Sequence, residues 1–411
     1  MNKNKNGFIS MTLVYTFLII FLFLMLAILR TYNEKDKFLE TIDEQINEDI
    51  SANVKTRETI INRILEDNSP ISEDEAPIRY FNIANSHFGN GNGLYYTDDI
   101  NKTDENDDGK ASRIYYFRGV TERNHLVFAS YCWRILRTNE DGSLRIRYNG
   151  PYNNGKCKDV SSIEGLSITT IGKTKYNTND YSDSEESLKY IPSDENKVNN
   201  VKRMLDEWYR ENITVEQHSG QKDYYSYKVA DAIYCNDLST YIDSSNNVVP
   251  GKYAAHNLVP EFIDKNNKNK YDYDNISNKI SFKCLNGAYD VNNDDNHSGL
   301  HELSYPIGTL TAQDVVLAGG YLSSDTDEYE GGKSGMENES YYLYTGYNYW
   351  TMTPYSNIDG EPKMVYVNSR GQLKAGGVND EEYYVVPVIS LKASTQIVSG
   401  HGTTNSPFIV K

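Results

Sequence analysis

The chain has 411 residues, a formal net charge of −17 and a sequence pI near 4.9. Its length suffices for one large domain or two ordinary ones, and its acidic balance argues against nucleic acid or an anionic bilayer surface as a partner. Tyrosine is unusually frequent, with 35 copies against 12 Phe and 3 Trp. It suits exposed recognition surfaces but also fills ordinary strand positions in β-rich proteins, so composition leaves both interpretations open.

The first predicted element is a membrane anchor. The run from Phe8 to Leu29 carries no charged side chain, and about 22 residues are enough to cross a hydrocarbon core as a helix. The run is also longer than the apolar part of a cleaved signal peptide. The sequence therefore predicts a transmembrane helix at 8–29 behind a basic leader at 1–7. Lysine and arginine flank both ends, so the positive-inside rule leaves the orientation open.

A helical stalk is predicted next, over residues 30–67. Apolar residues recur there at helical spacing and form a narrow stripe among charged residues. The stripe consists of Phe38, Ile42, Ile46 and Ile50, then Ile60, Ile61, Ile64 and Leu65. It favours a helix that packs on a partner or lies along the head, with a solvated spacer as the alternative. Asn68-Ser69-Pro70 ends the pattern, and residues 68–112 are predicted as a linker.

Strand signals dominate from residue 113 onward. The strand candidates are 113–119, 126–128, 131–137, 143–148, 364–368, 384–391 and the terminal 408–410, which should pair inside a sheet. Residues 139–142 predict a hairpin turn, after which apolar and basic residues alternate. The residues expected to face the core are Leu144, Ile146 and Tyr148. Arg145 and Arg147 are expected to face solvent, and no anion site is assigned to them.

Helices are fewer in the predicted head. In 198–212, the residues Val201, Leu205 and Trp208 share one face. A second helix at 311–318 begins with a capping-box pattern and is ended by two glycines. The sequence therefore predicts an α+β head over 113–411 that is mixed, mainly antiparallel sheet with two or three helices.

The four cysteines form an even set, Cys132, Cys157, Cys235 and Cys284. None belongs to a CxxC pair, and no histidine lies at zinc-finger spacing from them. Of the three pairings that four cysteines allow, local order favours Cys132–Cys157 and Cys235–Cys284. Such disulfides need an oxidising compartment and so argue that the large C-terminal part lies outside the cell. Free buried thiols are the alternative.

The short basic segment Lys3-Asn4-Lys5-Asn6-Gly7 precedes Phe8 and the long apolar run. This arrangement resembles the leader of type IV prepilins and pseudopilins. The resemblance implies cleavage after Gly7 and a helix that bundles into a filament. It departs at Thr12, where that family carries Glu.

Several motifs of the head occur in the order found in a large group of bacterial surface proteins. They are Tyr-Phe-Arg-Gly (116–119), Tyr-Cys-Trp-Arg-Ile (131–135), Asp-Gly-Ser-Leu-Arg-Ile-Arg-Tyr (141–148), Asp-Glu-Trp-Tyr (206–209), Tyr-Cys-Asn-Asp (234–237), Leu-Thr-Ala-Gln-Asp-Val-Val-Leu-Ala-Gly-Gly (310–320), Tyr-Trp-Thr-Met-Thr-Pro (349–354) and Pro-Val-Ile-Ser-Leu-Lys (387–392). The chain resembles this family, whose members join a prepilin-like or signal-anchor N-terminus to a head similar to the C-type-lectin and formylglycine-generating-enzyme superfamily. The resemblance implies a C-type-lectin-like head. It departs at Val386, where the family carries Arg.

In lectin-like folds the region before the last strands forms the ligand face, so the resemblance points to the aromatic cluster 341–355. The ligand-binding residues predicted there are Tyr344, Tyr347, Tyr349 and Tyr355. Their rings could stack on a sugar or on an apolar patch of a protein. Trp350 is expected in the core.

No metal or catalytic site is predicted. Residues 104–109 match the first half of a calcium loop, but Tyr115 stands where the bidentate acid is needed. Residues 290–294 repeat part of that pattern. Oxygen-rich loops on an acidic exported protein could hold calcium, but solvated turns are the more common explanation of both segments. His297 and His301 are expected in a loop and lack the Glu of a zinc-protease helix. Formylglycine-generating enzymes use a C-terminal cysteine pair, and no cysteine follows Cys284.

The sequence therefore predicts a single-pass cell-membrane protein whose extracellular head binds a glycan or a protein without catalysis, in the manner of an adhesin. The alternative is a minor pilin or pseudopilin, whose head caps or decorates a filament of pilin-like subunits. Cleavage of the leader after Gly7 separates the two hypotheses.

Overall fold

The computed structural model describes only part of the chain. The described residues are 59–73, 93–105, 109, 112–157, 169–177, 188–190, 199–214, 225–238, 240–242, 248–250, 261–262, 271–272, 280–284, 286–290, 301–320, 341–358, 360–379 and 381–410. The predicted leader, the predicted transmembrane helix and the stalk up to residue 58 lie outside them. Within the described ranges no helix is long and apolar enough to cross a bilayer. All of these ranges belong to one compact unit, Thr59–Lys411.

This unit is a mixed α+β structure that consists mainly of sheet. Its largest sheet has nine strands among the described residues. They are β1 (Ile71–Ser72), β2 (Gly93–Thr97), β3 (Ile114–Arg118), β4 (His125–Phe128), β5 (Tyr131–Thr138), β6 (Leu144–Pro151), β19 (Val388–Leu391), β20 (Ile397–Ser399) and β21 (Phe408–Val410). The order is β1-β2-β3-β5-β4-β21-β20, and β6 joins β5 to β19. We call this the main sheet.

Consecutive hairpins form the centre of the main sheet. β4 pairs antiparallel with β5, with Leu126 opposite Trp133, and β5 pairs antiparallel with β6, with Ile135 opposite Ile146. The predicted hairpin turn is confirmed: Gly142 takes a positive φ of 76° between β5 and β6. The terminal strand pairs inside the sheet, as predicted, because β21 lies parallel to β4.

A second sheet carries the aromatic cluster. Its strands are β7 (Lys173–Thr174), β15 (Tyr349–Ile358), β16 (Glu361–Val367), β17 (Leu373–Gly377) and β18 (Tyr383–Tyr384), in the order β17-β16-β15-β18-β7. The single strand predicted at 384–391 is therefore two strands in different sheets. Pro387 has no N–H to donate, and the backbone around Val385 instead bonds to Ile171 and Gly172.

Three small sheets complete the described strands. One contains β8 (Tyr234–Asp237), β13 (Asn286–Asp290) and β14 (His301–Glu302). The two others are the antiparallel pairs of β9 (Thr240–Ile242) with β10 (Val248–Pro250) and of β11 (Glu261–Phe262) with β12 (Tyr271–Asp272).

The described helices are α1 (Ile60–Asp67), α2 (Ile100–Thr103), α3 (Asn200–Asn212) and α4 (Ala312–Ala318). In α3, Val201 and Leu205 are buried as predicted, and the half-buried ring of Trp208 packs on Tyr148. α4 begins with the predicted capping box, in which Thr311 and Asp314 bond each other's backbone N–H groups. The helix ends at Gly319, whose φ is 114°.

α1 corrects the predicted stalk. Thr59 has extended backbone and caps the helix, so a continuous helix over 30–67 does not run through this residue. Ile60 and Ile64 are buried in the same core as the main sheet, and the Ile60 N–H donates to the Thr395 carbonyl at 3.1 Å. This segment therefore lies along the head. The predicted linker at 68–112 likewise contains β1, β2 and α2.

The central strands β4, β5 and β6 of the main sheet are buried on both faces, and this corrects a second prediction. Leu144, Ile146 and Tyr148 are buried, as expected from the alternation in β6. Arg145 and Arg147 are also buried, at 3 % and 0 % exposed, although the same alternation predicts that they face solvent. The pattern was misleading because it assumes that one face of the strand is solvated.

Both predicted disulfides are present. Cys132 bonds to Cys157, at the start of β5, and Cys235 bonds to Cys284. The second bridge ties β8 to the chain just before β13, across a sequence separation of 49 residues.

Candidate functional site

The aromatic cluster begins inside the core. Tyr341 and Leu343 are buried, the Tyr341 hydroxyl donates to the Gly371 carbonyl at 2.7 Å, and the Tyr349 hydroxyl donates to the Leu343 carbonyl at 3.2 Å. Between them Gly346 adopts a positive φ of 71° and turns the chain into β15. These contacts fix the path of the chain on either side of Tyr347.

Two members of the cluster are core residues. Tyr349 is 0 % exposed, so its ring offers no face to a ligand, although the sequence assigns it to ligand binding. Burial raises the pKa of its hydroxyl. Trp350 is also fully buried, as expected, and its indole N–H donates to the Thr174 carbonyl at 2.8 Å. The step from Tyr347 to Tyr349 is therefore a step from surface into core.

Tyr347 lies in a small surface group that we call the tyrosine–lysine patch, made of Tyr347, Tyr384 and Lys173. The Tyr347 and Tyr384 ring centroids are 4.9 Å apart and tilted by 58°. The Lys173 ammonium lies 4.7 Å from the Tyr384 centroid, within the range of a cation–π contact. Lys173 and Tyr384 are directly paired on β7 and β18, so both side chains project from the same face.

The patch stands at the edge of the second sheet, where β7 is the last described strand. Beneath it lies a layer of packed rings: Trp350 is 4.6 Å from Tyr383, and Tyr383 is 4.3 Å from Tyr366. A packed aromatic layer limits the movement of the strands that carry the patch. The surface rings are thus held in place before any ligand arrives.

Tyr344 and Tyr355, like Tyr384 of the patch, are partly buried against the core. Tyr355 lies six residues after Tyr349 on β15, or about 20 Å along an extended strand. It therefore does not belong to the patch. The structure places Tyr347 in a surface group, leaves Tyr344 near the turn that precedes it, and separates Tyr355 from both.

Sequence reasoning missed two of the three patch residues. Lys173 lies in a polar stretch that carried no strand pattern, and Tyr384 stood at the start of a predicted strand with nothing to link it to Tyr347. The signal that joins them is strand pairing, which a single sequence does not display.

Asp104 and Glu105, the described acids of the calcium-like segment at 104–109, bond to other residues. Glu105 accepts from the Arg137 guanidinium at 2.7 Å, and Asp104 accepts from the Gly109 N–H at 3.1 Å and lies 3.9 Å from the Lys283 ammonium. Residues 106–108, 291–294 and His297 lie outside the described residues, and His301 lies in β14. Among the residues that are described, no three His, Cys, Asp or Glu side chains are placed to hold a metal.

Comparison of the chain with protein-family models, with curated proteins and with solved structures finds no match. Its assignment to a function therefore rests on its own residues and geometry.

Proposed function

We propose that this protein binds a ligand at the cell surface through the tyrosine–lysine patch, in the manner of an adhesin, and does not catalyse a reaction. The observation that carries the proposal is the pair of partly exposed rings 4.9 Å apart with a lysine ammonium beside them. Aromatic faces stack on the apolar side of a sugar ring or on apolar side chains of a protein, and the ammonium can bond hydroxyl or carboxylate oxygens.

The proposal includes the location of the protein. The two disulfides are consistent with an extracellular head. The uncharged run Phe8–Leu29 supports a single membrane-spanning helix that anchors the chain. The order of motifs along residues 113–411 supports the finer assignment of the head to the bacterial surface-protein family with a C-type-lectin-like fold.

The test is a glycan and protein array probed with the purified full-length chain in detergent. A ligand found there is then titrated against the double variant Tyr347→Ala with Tyr384→Ala. Each aromatic contact is worth about 0.5–1.5 kcal/mol beyond its buried area, so we expect a loss of affinity of at least about fivefold. The midpoint of thermal unfolding should fall only slightly, because both rings are partly exposed, although Tyr384 also packs against the core.

The matched control is Tyr227→Ala, which removes a tyrosine that is 63 % exposed and lies outside the patch. This variant should bind like the natural chain. Equal affinity of the double variant and the control would contradict the proposed face. Whether the ligand is a sugar or a protein is read directly from the array.

A second candidate function has its own observation. The segment Lys3–Phe8 ahead of the apolar run favours a minor pilin or pseudopilin, in which other pilin-like subunits are the partners. N-terminal sequencing of the mature protein from its natural membrane distinguishes the two functions. A mature chain that begins at Phe8 favours the filament subunit, and an intact Met1 favours the anchored binding protein.

A further inference from the structure

One face of the main sheet carries a row of basic side chains. His125 pairs with Arg134 across β4 and β5, and Arg134 pairs with Arg147 across β5 and β6. Directly opposed residues point to the same face with their Cβ atoms about 5 Å apart. The three side chains are 1 %, 4 % and 0 % exposed. Arg145, two residues from Arg147 on the same strand and therefore on the same face, is buried as well.

Arg147 has donors that the described part of the protein does not use. Its Nη1 donates to the Asn149 side-chain oxygen at 3.2 Å, whereas its Nε and Nη2 have no hydrogen-bond partner there. The Asn149 side-chain nitrogen, which is also buried, has none either. All three of these nitrogens are donors only. Each of them therefore needs a hydrogen-bond acceptor as its partner.

Arg147 also lacks a compensating negative charge within the described residues. Arg137, on the same face, has two acids: Glu105 at 2.7 Å and Asp314 at 3.2 Å. The nearby ionisable groups are instead the hydroxyls of Tyr341, Tyr342 and Tyr349, and burial lowers the pKa of the Arg147 guanidinium.

An arginine remains charged under such conditions. Taking an unpaired charge out of water costs several kcal/mol.

We propose that Arg147 and Asn149 form a buried binding site for a small monovalent anion of the size of chloride. Such an ion supplies both the acceptor and the negative charge that the three nitrogens need. Arg147 and Asn149 are 0 % and 1 % exposed, so the site is shielded from water, which favours an ion that sheds its water readily over a multivalent oxyanion. The bound ion would hold the segment Tyr341–Tyr349 against the main sheet. This inference does not depend on the proposed ligand at the tyrosine–lysine patch.

The test measures thermal unfolding of the purified full-length chain in sodium chloride, sodium bromide and sodium gluconate at one ionic strength and pH 7. A ligand that binds only the folded state raises the unfolding temperature in a saturable way. We expect chloride and bromide to raise it by roughly 2–5 °C over gluconate once the site is filled.

The variant Arg147→Met removes the charge and two of the three unused donors. The difference in unfolding temperature between chloride and gluconate should therefore vanish. The same substitution at an exposed arginine, Arg113→Met, should leave the difference intact. Equal unfolding temperatures of the natural chain in all three salts would overturn the proposal, and so would an undiminished difference in Arg147→Met.

A direct measurement covers the case in which Arg147→Met does not fold. Crystals of the natural chain grown in sodium bromide should show an anomalous peak within hydrogen-bond distance of Arg147 Nε or Nη2. Density there without an anomalous signal would mean a buried water only, and the proposal would be rejected.

Discussion

Arg137 lies at the centre of a buried charge network, and replacing it by Met is the most direct test of how the described core is held together. Its Nη1 donates to Glu105 at 2.7 Å, and its Nε donates to Asp314 at 3.2 Å. It also lies 4.5 Å from the ring of Phe282. Burial by itself lowers the pKa of Arg137, but the two acidic partners outweigh burial and raise it, so the guanidinium is charged.

The size of the effect follows from what Met leaves behind. Methionine fills much of the same volume, but Glu105 and Asp314 then stand as two buried carboxylates without their cation. Breaking one buried pair costs about 3–5 kcal/mol. We therefore expect Arg137→Met to lower the free energy of unfolding at pH 7 by at least about 3 kcal/mol.

Urea unfolding followed by tryptophan fluorescence at pH 7 measures this loss of stability. The control is Arg113→Met, because Arg113 also binds a carboxylate, Asp98, at 2.6 Å but both side chains are about half exposed. Exposed pairs are worth at most about 1 kcal/mol. A loss of stability for Arg137→Met as small as that for Arg113→Met would refute the proposed role of the buried charges.

Three further predictions concern the covalent and apolar core. Replacing Cys235 and Cys284 together by Ser should lower the free energy of unfolding by about 4 kcal/mol, the chain-entropy value for a loop of this length. Unfolding under non-reducing conditions measures this loss, and a loss near zero would mean that the bridge does not form. Ile64→Ala should lower the free energy of unfolding in urea by about 2–5 kcal/mol, because the side chain is 4 % exposed. A loss below about 0.5 kcal/mol, which is typical of a surface residue, would mean that α1 does not pack on the head. Gly308→Ala would place a Cβ 2.5 Å from Cδ1 of the buried Tyr234 ring and should lower the free energy of unfolding by about 1–3 kcal/mol. The variant should therefore unfold at a lower temperature, and an unchanged unfolding temperature would contradict this close contact.

Local patterns of the sequence were sufficient for several elements. The hairpin between β5 and β6, the capping box of α4 and the face of α3 that carries Val201 and Leu205 all depend on residues within a few positions of one another. The disulfide pairing followed from chain order as well. The hairpin, the capping box and the helix face depend on interactions that are short in sequence, so their signals are visible without the fold. The disulfide partners are 25 and 49 residues apart, so chain order only favoured one pairing among three.

Prediction was wrong where an element meets a distant partner. The alternation in β6 identified the apolar face, but covering of the opposite face by residues such as Tyr341 and Tyr342 buries Arg147. The stripe in the predicted stalk was real for Ile60 and Ile64, yet only tertiary structure decided that they pack on the head.

The candidate site, too, was predicted in part from the sequence and decided in part by the tertiary structure. The density of tyrosines in 341–355 was apparent from the sequence, and it predicted where aromatic rings would accumulate. The tertiary structure decided that Tyr349 enters the core while Tyr347 meets Tyr384 and Lys173 at a sheet edge. A sequence specifies which side chains are available and how each strand alternates. Which of its two faces is covered depends on segments far along the chain, whose pairing is chosen by the free energy of the whole fold.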